Sequence, residues 1–417
     1  MNIGYACLTI GVPDTNYKNC MLKNANEEKL LELIAYNLNS LENVIDYNIK
    51  NNIKLFRISS DIIPFGSNPI NNIKWWKVFS YKLSNIGEKI KNSGMRVSMH
   101  PGQYTVLNSP KEEVVKKAIE DLNYHAKFLQ SLNIGIDGKI VLHIGGVYND
   151  KNEAIKRFIK NYSRLDDLVK QRLVIENDDK SYNIKDVLEI AQIINIPVVF
   201  DNLHNQVNPY NKNESDYYWI NKCKKTWKKE DGYQKIHYSQ QDPLKKPGSH
   251  SQTIYINEFI NFYKNLQRND IDIMLEVKDK NLSAIKCINC TSDSKFIKEL
   301  ENEWGRYKYK ILENSPLDYI EIRKLLKNKN SYPAMEFYNL IENGLQKENN
   351  IGNSINAASH VWGYFKDIAT EKEKNNFLNN IERYKQGKTS IKTVKNILWK
   401  MTVKYNREYL LNSYYFL

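Results

Sequence analysis

The sequence predicts a (β/α)8 barrel followed by a small all-helical domain. Three observations carry this. Eight short β-branched or apolar runs alternate with longer stretches of helical period over roughly the first 300 residues. No G-x-G-x-x-G turn follows the first run, which argues against the doubly wound open sheet that is the other reading of such alternation. After about residue 300 strand-like alternation stops, and helical patterns are broken at Pro316, Pro333 and Gly352.

The runs that read as strands are, in order, Ile3 to Ile10, Leu55 to Ser59, Arg96 to Met99, Lys139 to Leu142, Arg172 to Ile175, Pro197 to Phe200, Gln234 to Tyr238 and Ile271 to Leu275. The stretch after the first run sets Leu30, Ile34, Leu38, Leu41 and Ile45 on one stripe, the spacing of a core-facing helix. Val115, Ala118, Leu122, Ala126 and Leu129 form another such stripe before Gly135 and Gly138 interrupt it. Eight strand–helix repeats point to a closed parallel sheet. The expected division is a barrel domain over 1–300 and a helical domain over 303–417, with the boundary near Trp304 and Gly305.

Composition narrows the classes further. Hydrophobic residues make up 41% and aromatics 12% of 417 residues, enough for a large core, so wholesale disorder is excluded. Apolar runs as short as Ile196 to Phe200 span no membrane. MNIGYACLTIG carries no basic leader, and five cysteines do not form a disulfide framework, so a soluble, cytoplasmic protein is expected. Lys and Arg number 61 against 48 Asp and Glu, a net charge of +13. The excess has two readings: a polyanionic partner such as nucleic acid, or the Lys, Asn and Ile enrichment of AT-rich coding.

The chemistry gathers at the carboxyl ends of the predicted strands. His100 follows the third in RVSMHPGQY, His143 the fourth in KIVLHIGG, and Glu176 the fifth in RLVIEND. Asp201 and His204 follow the sixth in PVVFDNLHN. His237 lies in the seventh, His250 comes shortly after, and Glu276 follows the eighth in DIMLEVKDK. Five of the seven histidines thus join three carboxylates at the edge where barrel enzymes assemble their sites. A lone histidine near a strand is usually a hydrogen-bonded structural residue. Eight such groups at consecutive strand ends instead suit divalent transition metals. Three or four protein ligands per ion leave room for two or three ions, with Glu176 and Asp201 as candidate bridges. Such a cluster suits phosphoryl hydrolysis, and with a basic surface it suggests a phosphodiesterase acting on nucleic acid. The alternative is a metal-dependent sugar isomerase or epimerase on the same barrel, although those sites are usually dominated by carboxylates.

YACLT, FRISSDIIPF, SMHPGQYTVLNSP, VLHIGG, LVIEND, VVFDNLHN, KIHYSQQ and MLEVKDK, in that order, strongly resemble the ultraviolet damage endonucleases, metal-dependent barrels related to endonuclease IV. The resemblance covers residues 1–300. It implies incision of damaged double-stranded DNA immediately 5′ to pyrimidine dimers or (6-4) photoproducts, leaving a 3′-hydroxyl. It places the metal ligands on His100, His143, Glu176, Asp201, His204, His237, His250 and Glu276. Glu176, Asp201, His237 and Glu276 are then the catalytic set, joined by Lys235 on the strand face of His237. In that family such a lysine can be carbamylated into a metal ligand; an ordinary phosphate contact is the other reading. Gln103 and Tyr104 match the pair that probes the damaged duplex, and Tyr5 matches a lesion-pocket residue. Asn68 stands where some family members have a histidine, and Thr9 where an asparagine is common. Manganese is the expected ion, with zinc, magnesium and cobalt left open. A monomer is expected, associated with the nucleoid if the source is bacterial.

The tail, through WGRYKYKILENSPLDY, INAASHVWGYFKD and IERYKQGKTSIKTVKNILWKMTVKYNREYLLNSYYF, resembles the helical YbgA-like domain. It holds 19 Lys and Arg against 13 Asp and Glu in residues 301–417. That charge makes it a candidate for recruiting DNA or a repair partner. Asn356 and His360, four apart, read as a structural hydrogen bond, and so does the mid-helix His125. Trp75 and Trp76 read as packing at a helix start. Cys287 and Cys290 lack the second pair a zinc site needs.

Overall fold

A computed structural model describes residues 1–293 and 296–417. Its strands are β1 (Ile3–Ala6), β2 (Leu55–Ile58), β3 (Arg96–Met99), β4 (Lys139–His143), β5 (Leu173–Glu176), β6 (Val198–Asp201), β7 (Gln234–Tyr238) and β8 (Ile271–Leu275). Each pairs in parallel with the next, and β8 pairs back with β1 to close the barrel. Parallel neighbours need crossovers, and helices supply them. The helix Glu27–Lys50 shows why the sequence folds so. Asn26 caps it by accepting from Lys29 N, Glu27 and Glu28 sit in its first turn, and Leu30, Ile34, Leu38, Leu41 and Ile45 are buried. Helix Glu112–Ser131 buries the expected stripe in the same way.

Strand ends differ from expectation at four places that matter. β1 stops at Ala6 rather than Ile10, because Cys7 turns the chain at φ 69°. β4, β5 and β6 run one residue further than the apolar pattern, so His143, Glu176 and Asp201 are strand residues. A carboxylate held in a hydrogen-bonded strand is better positioned than one on a loop.

Side chains alternate along a strand, and this parity sorts the barrel. Ala6, Leu55 and Met274 pack together inside it, as do Val141, Val174 and Val199. Two residues beyond each of five of these lie Arg57, Glu276, His143, Glu176 and Asp201, which therefore share the inward face. Toward the opposite end a buried ionic layer fills the interior. Arg96 lies 2.9 Å from Asp272, and Lys139 lies 2.5 Å from Asp231.

The chain divides into two compact units. One comprises Met1–Ile10, Asp14–Ile254 and Phe262–Ile285, and the other Gly11–Pro13, Tyr255–Asn261 and Lys286–Leu417. In the second, Ser315 caps a helix that begins at Pro316, where proline's missing N–H costs nothing. Helices Ile297–Asn314, Ile351–Trp362, Glu371–Lys385 and Ile391–Lys404 bury Leu312, Val361, Phe377 and Leu398 in one core. Trp362 stacks on Phe377 at 4.5 Å. Trp304 and Gly305, the expected boundary, lie inside the continuous helix Ile297–Asn314, with the Tyr409 ring close over Gly305. Asn356 and His360 are exposed, and among the described residues no hydrogen bond joins them. No helix of the described residues is long and apolar enough to cross a membrane.

Candidate metal centre

Glu176 is the hub of the site. Its Oε1 lies 2.8 Å from His237 Nδ1 and 3.7 Å from His204 Nδ1, and its Oε2 lies 3.2 Å from His100 Nε2 and 3.7 Å from His143 Nε2. Glu276 extends the cluster, with Oε1 3.3 Å from His237 Nδ1 and Oε2 3.7 Å from His250 Nε2. Asp201 Oδ1 is 3.8 Å from His204 Nδ1. The fold thus brings all eight strand-end residues into one connected group. Two trios are tight enough to share an ion: His100, His143 and Glu176, and Glu176, Asp201 and His237.

Local structure explains the placement. Asp201 accepts from His204 N at 2.7 Å, capping the short helix Asn202–Val207 and setting His204 above the strand. His204 Nδ1 donates to the Asn177 carbonyl at 2.8 Å, which fixes its tautomer and leaves Nε2 for another partner. Asn177 and Asp201 bond reciprocally across β5 and β6, and Asn202 and Ser239 do the same across β6 and β7. An antiparallel bridge between Gln241 and His250 carries His250 back to the mouth.

The donor set fits a cation. Asp201 Oδ2, His237 Nε2 and His143 Nδ1 are buried and have no hydrogen-bond partner among the described residues. Burying such atoms unpaired is unfavourable unless something positive binds them. Burial alone would raise the Glu176 pKa, but the charges on His237 and His143 and bonds from His100 and His237 hold it well below the usual carboxylate range. Burial likewise opposes ionisation of Glu276, and Arg57, its ion-pair partner, together with His237 and His250, more than reverses this. Burial pushes Asp201 up, and it pushes His143 down to about 4. His204 is lifted to about 9, because Asp201 and Glu176 outweigh its burial. The hub is an ionised carboxylate, the form that ligates metal.

Lys235 is fully buried on the inward face of β7, and its Nζ has no hydrogen-bond partner among the described residues. Burial, reinforced by Arg96, pushes its pKa far down, which favours the neutral amine that carbamylation requires. Gln103 and Tyr104 stand exposed on the loop after β3, Tyr104 at 83%. With His100 and Asn68 they line a cavity of about 1100 Å³. The Asn68 amide oxygen accepts from Ile70 N within its own turn.

Tyr5 is a correction. It has the opposite parity to Ala6, is 0% exposed, and its hydroxyl bonds Thr9 and Asn48 between strand and helix. Thr9 is its buried partner rather than a surface contact. Three residues that matter were missed as actors. Arg57 stands in FRISS, while Asn177 and Asn202 stand beside ligands in LVIEND and DNLHN. Strand parity from Leu55 points to Arg57; nothing in the sequence marks the asparagines as cross-strand clamps. His125 is buried as expected, with Nδ1 2.7 Å from the Asp121 carbonyl and Nε2 3.0 Å from Ser60 Oγ. Trp75 is buried at a helix start, again as expected. Among the described residues no disulfide joins any of the five cysteines.

Imidazoles and carboxylates converging at the carboxyl edge of a closed parallel barrel define a barrel enzyme with a metal-capable centre. The comparisons refine the class. The chain belongs to the UV-endonuclease UvdE family, which matches residues 2–305, and residues 308–417 match a family of proteins of unknown function, DUF1722. It is 44% identical over 411 residues to a UV DNA damage endonuclease of Clostridium perfringens, covering 95% of this chain and 97% of that protein. A UV DNA damage endonuclease of Bacillus cereus strain B4264 is 33% identical over 289 residues, covering 69% of this chain and 90% of that one. The crystal structure of SacUVDE shares 41% identity at a TM-score of 0.66, covering 72% of this chain and 99% of that one.

Proposed function

We propose that the chain hydrolyses the phosphodiester immediately 5′ to ultraviolet photolesions, pyrimidine dimers and (6-4) photoproducts, in double-stranded DNA. The P–O3′ bond breaks, leaving a 3′-hydroxyl upstream and a phosphate on the lesion side. The Glu176 hub with its three orphaned neighbouring atoms carries this reading, and family membership favours it over sugar isomerisation. His100, His143, Glu176, Asp201, His204, His237, His250 and Glu276 would hold two or three divalent ions, manganese first among the candidates. Such ions supply an activated water and neutralise the charge on phosphate and leaving oxygen.

The chain's own residues do the rest. Glu176 stays ionised at neutral pH. Arg57 fixes Glu276 against His237 and His250. The asparagine clamps hold β5, β6 and β7 in register, so that the ligand atoms are preorganised. Lys235, once carbamylated, would add an anionic oxygen pair below His237. Gln103 and Tyr104 would fill the space beside extruded bases, which a dimer gives up more readily than intact DNA. The work is assigned to the barrel, in the cytoplasm, on damaged DNA as partner.

With manganese, the purified chain is expected to nick ultraviolet-irradiated supercoiled plasmid and to leave unirradiated plasmid closed. Glu176→Ala and His143→Ala should each lower nicking by about a thousandfold or more while the circular dichroism spectrum stays unchanged. Equal nicking of irradiated and unirradiated plasmid would sink the proposal.

A further inference from the structure

The loop that returns from β7 to His250 is built to present something. Residues 243–247, Pro-Leu-Lys-Lys-Pro, are all exposed, and Leu244 at 93% is the most exposed large hydrophobic among the described residues. An apolar side chain held in water is unfavourable, so a floppy loop would fold it down. Here the loop is prevented from collapsing. Gln241 donates to the carbonyls of Asp242 at 2.7 Å and Lys246 at 3.1 Å, and accepts from Gly248 N at 2.8 Å. Asp242 accepts from Leu244 N at 3.1 Å, while its own N–H donates to the Ser249 carbonyl at 2.7 Å. Pro243 and Pro247 stiffen both shoulders. The tip is therefore a rigid apolar point flanked by Lys245 and Lys246.

Its place in the ring matters as much as its rigidity. β3 and β7 are four strands apart in a closed ring of eight, so their following loops face each other across the barrel mouth. Tyr104, 83% exposed, stands after β3, and the ligand group lies between the two loops. Apolar wedges flanked by basic residues enter base steps and hold a kinked duplex.

We propose that Leu244 is a second wedge, entering the lesion-bearing duplex from the side opposite Gln103 and Tyr104, with Lys245 and Lys246 on the flanking phosphates. This rests on the endonuclease reading above. A second insertion point would clamp the bent duplex so that the incised phosphate faces the ligand group.

The test uses the full chain with manganese and a duplex carrying a single thymine dimer, with 2-aminopurine as the neighbouring base. The unmodified chain is expected to cut it and to raise the 2-aminopurine fluorescence on binding. Leu244→Ser should lower kcat/KM about tenfold, mainly through KM, and abolish the fluorescence rise, while Leu244→Met restores both. Lys245→Gln with Lys246→Gln should flatten the dependence of log affinity on log salt by about one to two. Manganese content is measured for every variant. Leu244→Ser within about twofold of the unmodified chain in both readouts overturns the wedge. So does a loss that Leu244→Met fails to restore, or one accompanied by lost manganese, since either marks a structural role. If the unmodified chain itself cuts no dimer, the endonuclease reading falls and the wedge falls with it.

Discussion

Between Tyr5 and Ala6 the chain advances one residue and crosses from the outside of the barrel to the inside. That step decides what each does. Ala6 packs with Leu55 and Met274 in the interior, whereas Tyr5 lies against Phe56 at 5.2 Å between ring centroids and bonds Thr9 and Asn48. Tyr5→Phe removes a buried hydroxyl and strands its partners, so unfolding in urea should show a loss of about 1–3 kcal/mol. Lesion-specific nicking per folded molecule should be unchanged. A tenfold loss of nicking at unchanged stability would return Tyr5 to lesion contact. Arg57 shows the same parity used to a different end. Two residues beyond Leu55, it reaches the mouth and pairs with Glu276, so that with His237 and His250 it keeps charged a carboxylate that burial would protonate.

Among the elements, helix Glu112–Ser131 does more than cover a strand. Asp121 accepts from Ser67 Oγ at 2.8 Å and Thr105 Oγ1 at 2.6 Å, tying together the loops after β2 and β3. One turn on, His125 meets Ser60, whose hydroxyl lies 2.6 Å from the His100 carbonyl. The helix thus anchors the segment that carries His100, Gln103 and Tyr104. Burial lowers the His125 pKa and His100 adds to this, while Asp121 and Asp61 pull the other way. The folded chain therefore refuses a proton that the unfolded chain accepts near the ordinary imidazole value of about 6.5. Stability from this residue is complete above that value and is lost as pH falls through it. Urea unfolding of His125→Gln at pH 7, 6 and 5 should show a deficit that shrinks as pH falls. A deficit that grows toward pH 5 would contradict the neutral buried imidazole.

For the whole molecule, the cluster sets the carboxylates Glu176, Asp201 and Glu276 among histidines and Arg57 in the interior of a barrel that is positive overall. Residues 1–300 carry 42 Lys and Arg against 35 Asp and Glu. An ion that binds the fold and not the unfolded chain stabilises it by about 2.7 kcal/mol at a hundred times its Kd. Manganese should therefore raise the unfolding temperature of the barrel by several degrees, at about 2–4 °C per kcal/mol, and a chelator should reverse it. Glu176→Ala should remove most of that rise. An equal rise in the variant would show that the ion binds elsewhere. The helical unit has its own core around Leu312, Val361, Phe377 and Leu398, and no part of the metal-capable cluster lies in it among the described residues. The Clostridium perfringens relative matches across both units, so the pairing of barrel and helical tail is shared with it.

The strand–helix alternation, the order of the eight strands and the residue types at the strand ends were legible in the chain itself, because periodicity and residue type are local properties. So was the all-helical tail, whose breaks at Pro316 and Pro333 act within a few residues. Which of the candidates meet, and at what separation, was decided by closure of the barrel. Glu176 became the hub because β5 runs one residue past its apolar pattern and points Glu176 inward beside His237 of β7. Arg57 reached Glu276 only because β8 pairs back with β1 and brings β2 within one strand of it. Tyr5 left the site for the helical layer by the same alternation. A ring joins residues more than two hundred positions apart, and no local pattern carries that information.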